Sequence, residues 1–130
     1  MKLASAERDR HLVVVTHHPP FRLEGPRRRH YLNGLSGYEK LVESLGQRRC
    51  TLLHGHLHKL SRRQVGSLEM IGVPSASNVT GYRESQLSYH VYTFDRSGLK
   101  EAEAVIYWPD ADDGVGRFER RALPETALEV

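Results

Sequence analysis

The chain is 130 residues long and 38% hydrophobic, which is enough apolar material for one domain of ordinary size and argues against two independent ones. Its single cysteine, Cys50, excludes an internal disulfide and a thiolate-rich zinc site. No stretch reaches the ~20 apolar residues of a membrane span, and the opening MKLASAERDR lacks the apolar centre of a signal peptide, so the reducing cytoplasm is the expected location. The formal net charge is only +3, yet 15 Arg stand against 4 Lys, and the planar arginine fork suits phosphate oxygens.

The opening KLASAERDR has the composition of a helix's last turns and leads straight into HLVVVT, His11 to Thr16, a β-branched run that predicts a buried strand. A buried strand rarely begins a domain with nothing upstream to cover it. The expectation is therefore a fragment, a truncated gene product or one part of a split protein. The strand runs into His17, His18, Pro19 and Pro20, a rigid loop. From Phe21 to Gly34 the segment FRLEGPRRRHYLNG is polar and broken by Gly and Pro, as a surface loop should be. Its Arg27, Arg28 and Arg29 are candidate phosphate contacts, with a solvated loop as the plainer reading.

Ser36 stands three residues before Glu39, and Leu35, Tyr38, Leu41, Val42 and Leu45 recur at helical spacing up to Gly46, which predicts a helix opened by a capping box. Cys50 to His54, CTLLH, is a second short strand that also ends in histidines. Beyond it, Ser61–Val65 and Leu68–Val73 flank a Gly66-Ser67 turn, and Leu87–Phe94 and Leu99–Trp108 flank Asp95-Arg96-Ser97-Gly98, which predicts two β-hairpins. Residues 109–130 read as a loop followed by an edge strand and a frayed, loose tail.

Four of the eight histidines fall in two groups, His17-His18 and His56-Leu57-His58, each at the C-terminal end of a predicted strand, where open α/β sheets keep their ligands. Neutral imidazole ligates Zn, Fe, Mn and Ni, and imidazoles at i and i+2 project to one side of an extended segment. Gly55 is expected to turn the backbone sharply just before the second group. His17, His56 and His58 are thus candidate metal ligands. His18 is expected to orient a ligand from outside the coordination sphere, and His30 is a candidate substrate contact.

VVVTHHPP, a helix, then LLHGHLHK resembles the last two signature blocks of the calcineurin-like metallophosphoesterases, over about His11 to Val73. The resemblance implies an α/β (α+β) fold: the C-terminal half of a four-layer α-β-β-α sandwich, with one mixed sheet, β-hairpins and one or two helices. Residues 1–130 would form a single partial domain. It also implies two divalent ions (Mn, Fe or Zn), with His17 and His56 on one and His58 on the other, clamping a phosphate ester for attack by activated water. The family's Asp-x-His, Gly-Asp-x-x-Asp and Gly-Asn-His blocks have no match in a fitting context. Asp9-Arg10-His11 precedes its strand, and Asp110, Asp112 and Asp113 lack the order and spacing.

The chain alone is therefore expected to take metal only partially and to hydrolyse little. Its expected partners are a phosphate-ester substrate and either a missing N-terminal half or another copy of itself, since half a sandwich leaves an apolar sheet face uncovered. Nucleic acid is not an expected partner, because no stacking aromatics are interleaved with the basic run. Two other readings stay open. One is a non-catalytic half-domain that binds metal or phosphate. The other is a histidine-triad nucleotide hydrolase, which His54-Gly55-His56-Leu57-His58-Lys59-Leu60 nearly spells, although Gly55 and Lys59 stand where hydrophobic residues belong.

Overall fold

The structure is a computed structural model that describes residues 10–23, 34–76, 87–109 and 115–124. Among these, seven strands and a helix follow in the order β1 (Leu12–Thr16), α1 (Tyr38–Gly46), β2 (Cys50–His54), β3 (Ser61–Val65), β4 (Leu68–Gly72), β5 (Ser88–Asp95), β6 (Gly98–Trp108) and β7 (Arg117–Ala122). The fold is mixed α+β with two sheets. The first has the order β1-β2-β4-β3, with β1, β2 and β4 parallel and β3 antiparallel to β4. The first predicted hairpin is thus part of this mixed sheet. The second, β5–β6, builds a separate antiparallel sheet with β7 instead of extending the first.

Alternation assigns the faces of the first sheet. Cys50 and Leu52 of β2, with Leu68 and Met70 of β4, pack against Leu45 of α1 and against Phe21 and Leu23, and Leu12, Val14, Leu41 and Val42 border this cluster. The placement of Phe21 and Leu23 corrects the reading of Phe21 to Gly34 as surface loop throughout. The two apolar side chains that follow Pro20 fold back over the sheet and are buried, which the polar average of the segment conceals. Residues 24–33 lie outside the described residues. The helix also starts differently from expectation. Gly37, at φ +73°, is its N-cap and no side chain caps it, so the Ser36–Glu39 box does not form.

The opposite face of the first sheet meets the second sheet. His11 stacks on Phe94 at 5.7 Å between ring centroids, and its Nε2 lies 2.9 Å from the Thr51 hydroxyl. Arg62 donates to Glu69 at 2.7 Å and to the Pro124 carbonyl at 2.8 Å, so one guanidinium joins β3, β4 and the segment after β7. Leu60, Tyr92, Ala102 and Trp108 pack around Ala104, Ile106 and Leu123. β1 is less buried than its sequence predicts. No described strand lies beyond it, and while Leu12 and Val14 are sheltered, Val13 is 37% and Val15 74% exposed.

Inside the second sheet, His90 Nδ1 and the Tyr92 hydroxyl are 2.7 Å apart. Burial holds the phenol well above its usual range and pushes His90 down to about 4, so the hydrogen bond joins a neutral phenol to a neutral imidazole. The unfolded chain takes up this proton near pH 6.5, whereas the folded chain does not until about pH 4. Stability is therefore fully present above pH 6.5 and is lost as pH falls towards 4, by up to about 3 kcal/mol. Urea unfolding at pH 7 and pH 4.5 measures this. His90→Gln, which keeps a hydrogen-bonding partner for Tyr92 but does not titrate, should lose less stability than wild type over the same interval, and equal losses would refute the assignment.

Candidate metal centre

β1 and β2 are parallel and in register, with Thr16 beside His54, so the residues that follow each strand emerge at the same end of the sheet. After Thr16 the chain bends. The Thr16 hydroxyl donates to the His18 carbonyl at 2.9 Å, and Pro19 and Pro20, both fully buried, fix the backbone beyond. After His54, the Gly55 N–H donates to the His17 carbonyl at 3.1 Å, tying one loop to the other. Just after Gly55, His56 (φ +67°) and His58 (φ +54°) take left-handed conformations, whereas Gly55 itself does not. Histidine tolerates this region better than most side chains, but each such residue costs on the order of 1 kcal/mol. Strain held at two alternate histidines is the kind of feature that functional loops retain.

These constraints bring three imidazoles together. His17 Nε2 and His56 Nδ1 are 3.1 Å apart, within hydrogen-bonding distance. The rings of His17 and His18 are 5.0 Å apart, those of His17 and His56 5.0 Å, and those of His18 and His56 4.4 Å. One nitrogen from each of the three lies within 4.8 Å of the others, close enough for all of them to face one ion. Burial, then the neighbouring His18, His17 and His58, lowers the pKa of His56, which favours the neutral ring that ligates metal.

Of the residues singled out in the sequence, His17 and His56 meet, and His18, expected outside the coordination sphere, stands among them. His58 shares the loop but is not part of this group. The group contains no carboxylate among the described residues. Arg27, Arg28, Arg29, His30, Asp110, Asp112 and Asp113 lie outside those residues.

The support beneath the site is hard to read from the residues alone. His54 is 2% exposed and packs edge-on to Phe21 at 5.3 Å, while the Arg63 guanidinium covers Phe21 at 4.1 Å. Its Nε2 is buried without a hydrogen-bond partner, and burial lowers its pKa, so it stays neutral. Gly72 of β4, beside His54 in the sheet, leaves room for this ring. A Cβ there would come within 2.8 Å of the His54 ring and would also strike the Ser61 hydroxyl. The signals were present, a histidine closing an apolar strand and a glycine closing another, but only strand pairing relates them. Gly72→Ala should destabilise the fold by about 1–3 kcal/mol, as overpacking does. Denaturant unfolding tests this, and a wild-type midpoint would show that the space beside His54 is not needed.

No family model and no curated protein matches the chain. Among solved structures it is similar to Vps29 from Entamoeba histolytica complexed with zinc, at 21% identity and a TM-score of 0.38, over 68% of this chain and 47% of that one. It is also similar to Vps29 from Cryptosporidium parvum, at 13% identity and a TM-score of 0.36, over 70% and 45%. The chain thus spans about half the length of these structures. Likeness of this degree establishes neither a family nor an activity.

Proposed function

We propose that this chain supplies the histidine side of a metal-dependent phosphoesterase centre of the calcineurin-like kind. The observation that carries the reading is the 3.1 Å approach of His17 and His56 at the C-terminal ends of two adjacent parallel strands. It gives spatial meaning to the HHPP and Gly-His-x-His blocks. The fit is chemical as well as spatial, because neutral imidazoles held by backbone contacts are suitable donors for Zn, Fe or Mn. One or two such ions would supply Lewis-acid binding of a phosphate ester and activation of water.

The chain's own part is to orient the donors. Thr16 and the Gly55 N–H fix the two loops, Pro19 and Pro20 stiffen the first, and His54 and Phe21 fill the space beneath the second. The carboxylates of a complete centre would come from another segment or subunit, with a second copy as the other possible partner. No helix among the described residues is long and apolar enough to cross a membrane. Burial pushes the Cys50 thiol up to about 11, which keeps it protonated and unreactive, and the cytoplasm is the location that accompanies this reading.

A second reading, a non-catalytic metal- or phosphate-binding half-domain, is favoured by the all-imidazole composition of the group among the described residues, which leaves a bound cation's charge undiminished and attractive to anions. The histidine-triad alternative fits less well, since His54 is packed into the core against Phe21 while His56 meets His17.

The deciding assay is hydrolysis of a chromogenic phosphodiester with manganese. It is run on the chain alone and with a segment bearing the Asp-x-His and Gly-Asp-x-x-Asp blocks, each with wild type, His17→Ala and His56→Ala. The expected result is little turnover alone, a gain on mixing, and loss of that gain in both variants and with chelator. Binding of metal without any gain would favour the second reading, and turnover indifferent to chelator would overturn both.

A further inference from the structure

We infer that His17, His18 and His56 hold a single divalent transition-metal ion through three imidazole nitrogens, with His18 as the third ligand and the remaining positions open to water or a phosphate-type anion. The inference rests on the metal-binding part of the reading above. It differs from the division implied by the family resemblance, in which His58 serves a second ion and His18 stays outside.

The separation of the first two nitrogens carries the argument. Imidazole nitrogens bind zinc at about 2.0–2.1 Å, so two ligands on one ion stand about 2.9 Å apart at a right angle and about 3.4 Å apart at the tetrahedral angle. His17 Nε2 and His56 Nδ1, at 3.1 Å, already lie between those limits. An ion can replace the hydrogen they share with little movement of either ring. The third nitrogen lies within 4.8 Å of both, and the His18 ring centroid is 4.4 Å from that of His56. Closing the remaining gap of about 1–2 Å is within the reach of side-chain rotation.

The backbone is fixed where it needs to be. The Thr16 hydroxyl holds the His18 carbonyl, Gly55 holds the His17 carbonyl, and buried Pro19 and Pro20 follow directly. Consecutive residues of a strand point to opposite faces, so the convergence of His17 and His18 on His56 is a property of this bend and not of the strand before it. Three imidazole nitrogens, with no carboxylate in the group among the described residues, favour Co, Ni, Cu and Zn over Mg and Ca. Three protein ligands with an open position is also the number that catalytic zinc sites keep.

The test uses the chain without an affinity tag. Cobalt titration, read by visible absorption and by competition with zinc, should give one ion per chain. Added inorganic phosphate should shift the cobalt spectrum. His17→Ala, His18→Ala and His56→Ala should each weaken binding by at least about 100-fold, while His58→Ala leaves it unchanged. Copper loading separates a ligand from a positioning residue. Electron paramagnetic resonance should show three coupled nitrogens in wild type and two in His18→Ala, and imidazole should restore binding to His18→Gly. Circular dichroism checks that each variant is folded.

Two ions per chain, an unchanged nitrogen count in His18→Ala, or loss of binding in His58→Ala would overturn the inference and leave the proposed function standing. A spectrum indifferent to phosphate would overturn the open anion position. Failure to bind any ion, or binding indifferent to both His17→Ala and His56→Ala, would overturn the inference and the metal-centre reading together.

Discussion

The parallel pairing of β1 with β2 is the constraint on which the site depends. Five residue pairs run in register from Leu12 beside Cys50 to Thr16 beside His54, so both strands stop at the same level. Whatever follows them must meet. In an antiparallel pair the two histidine groups would lie at opposite ends of the ladder, and the same sequence would bring no imidazoles together. The parallel arrangement in turn needs a crossover, which includes α1, and the helix needs the apolar face that Leu52 and Leu68 offer to Leu45. Burial of ordinary aliphatic side chains thus determines where the histidines emerge.

The second sheet has a different part. It closes the far side of the first through a few specific contacts: His11 on Phe94, and Arg62, held by Glu69 of its own sheet, on the Pro124 carbonyl after β7. The Arg62–Glu69 pair is largely sheltered from water, with side chains 20% and 17% exposed, so removing one partner would strand the other charge at appreciable cost. Such contacts fix how the sheets lie on each other, while the alternating small and aromatic side chains of β5 and β6 fill the space between them. Neutral His90 belongs to this layer and has no part in the histidine group at the strand ends.

Much of the architecture was legible because periodicity is local. The β-branched run before His17, the apolar run before Gly55, the two hairpins and α1 all fall close to where their patterns predict. What escaped involves relations between distant residues. A polar average hid Phe21 and Leu23, whose burial depends on the sheet they cover. The helix start was misread because Ser36 and Glu39 have the right spacing, whereas Gly37 takes a left-handed conformation that removes the cap. At the site, spacing brought out His17 and His56. The place of His18 depended on a bend that no alternation rule describes, and nothing in the pattern marked His56 and His58 as left-handed residues.

Among the described residues β1 has no neighbour on its outer side, and this has a consequence for assembly. Its five residues include no charge, proline or bulge, the devices that usually discourage a neighbour from pairing with an edge strand, and Val15 is largely exposed. Such an edge is a template. A strand laid beside it in the direction of β2 would take its register from Leu12 to Thr16, and the residue after its last pair would arrive next to His17. The edge would therefore govern the chemistry as well as the attachment of its neighbour, because the same hydrogen-bond ladder that bound the strand would determine which of its side chains reached the imidazoles.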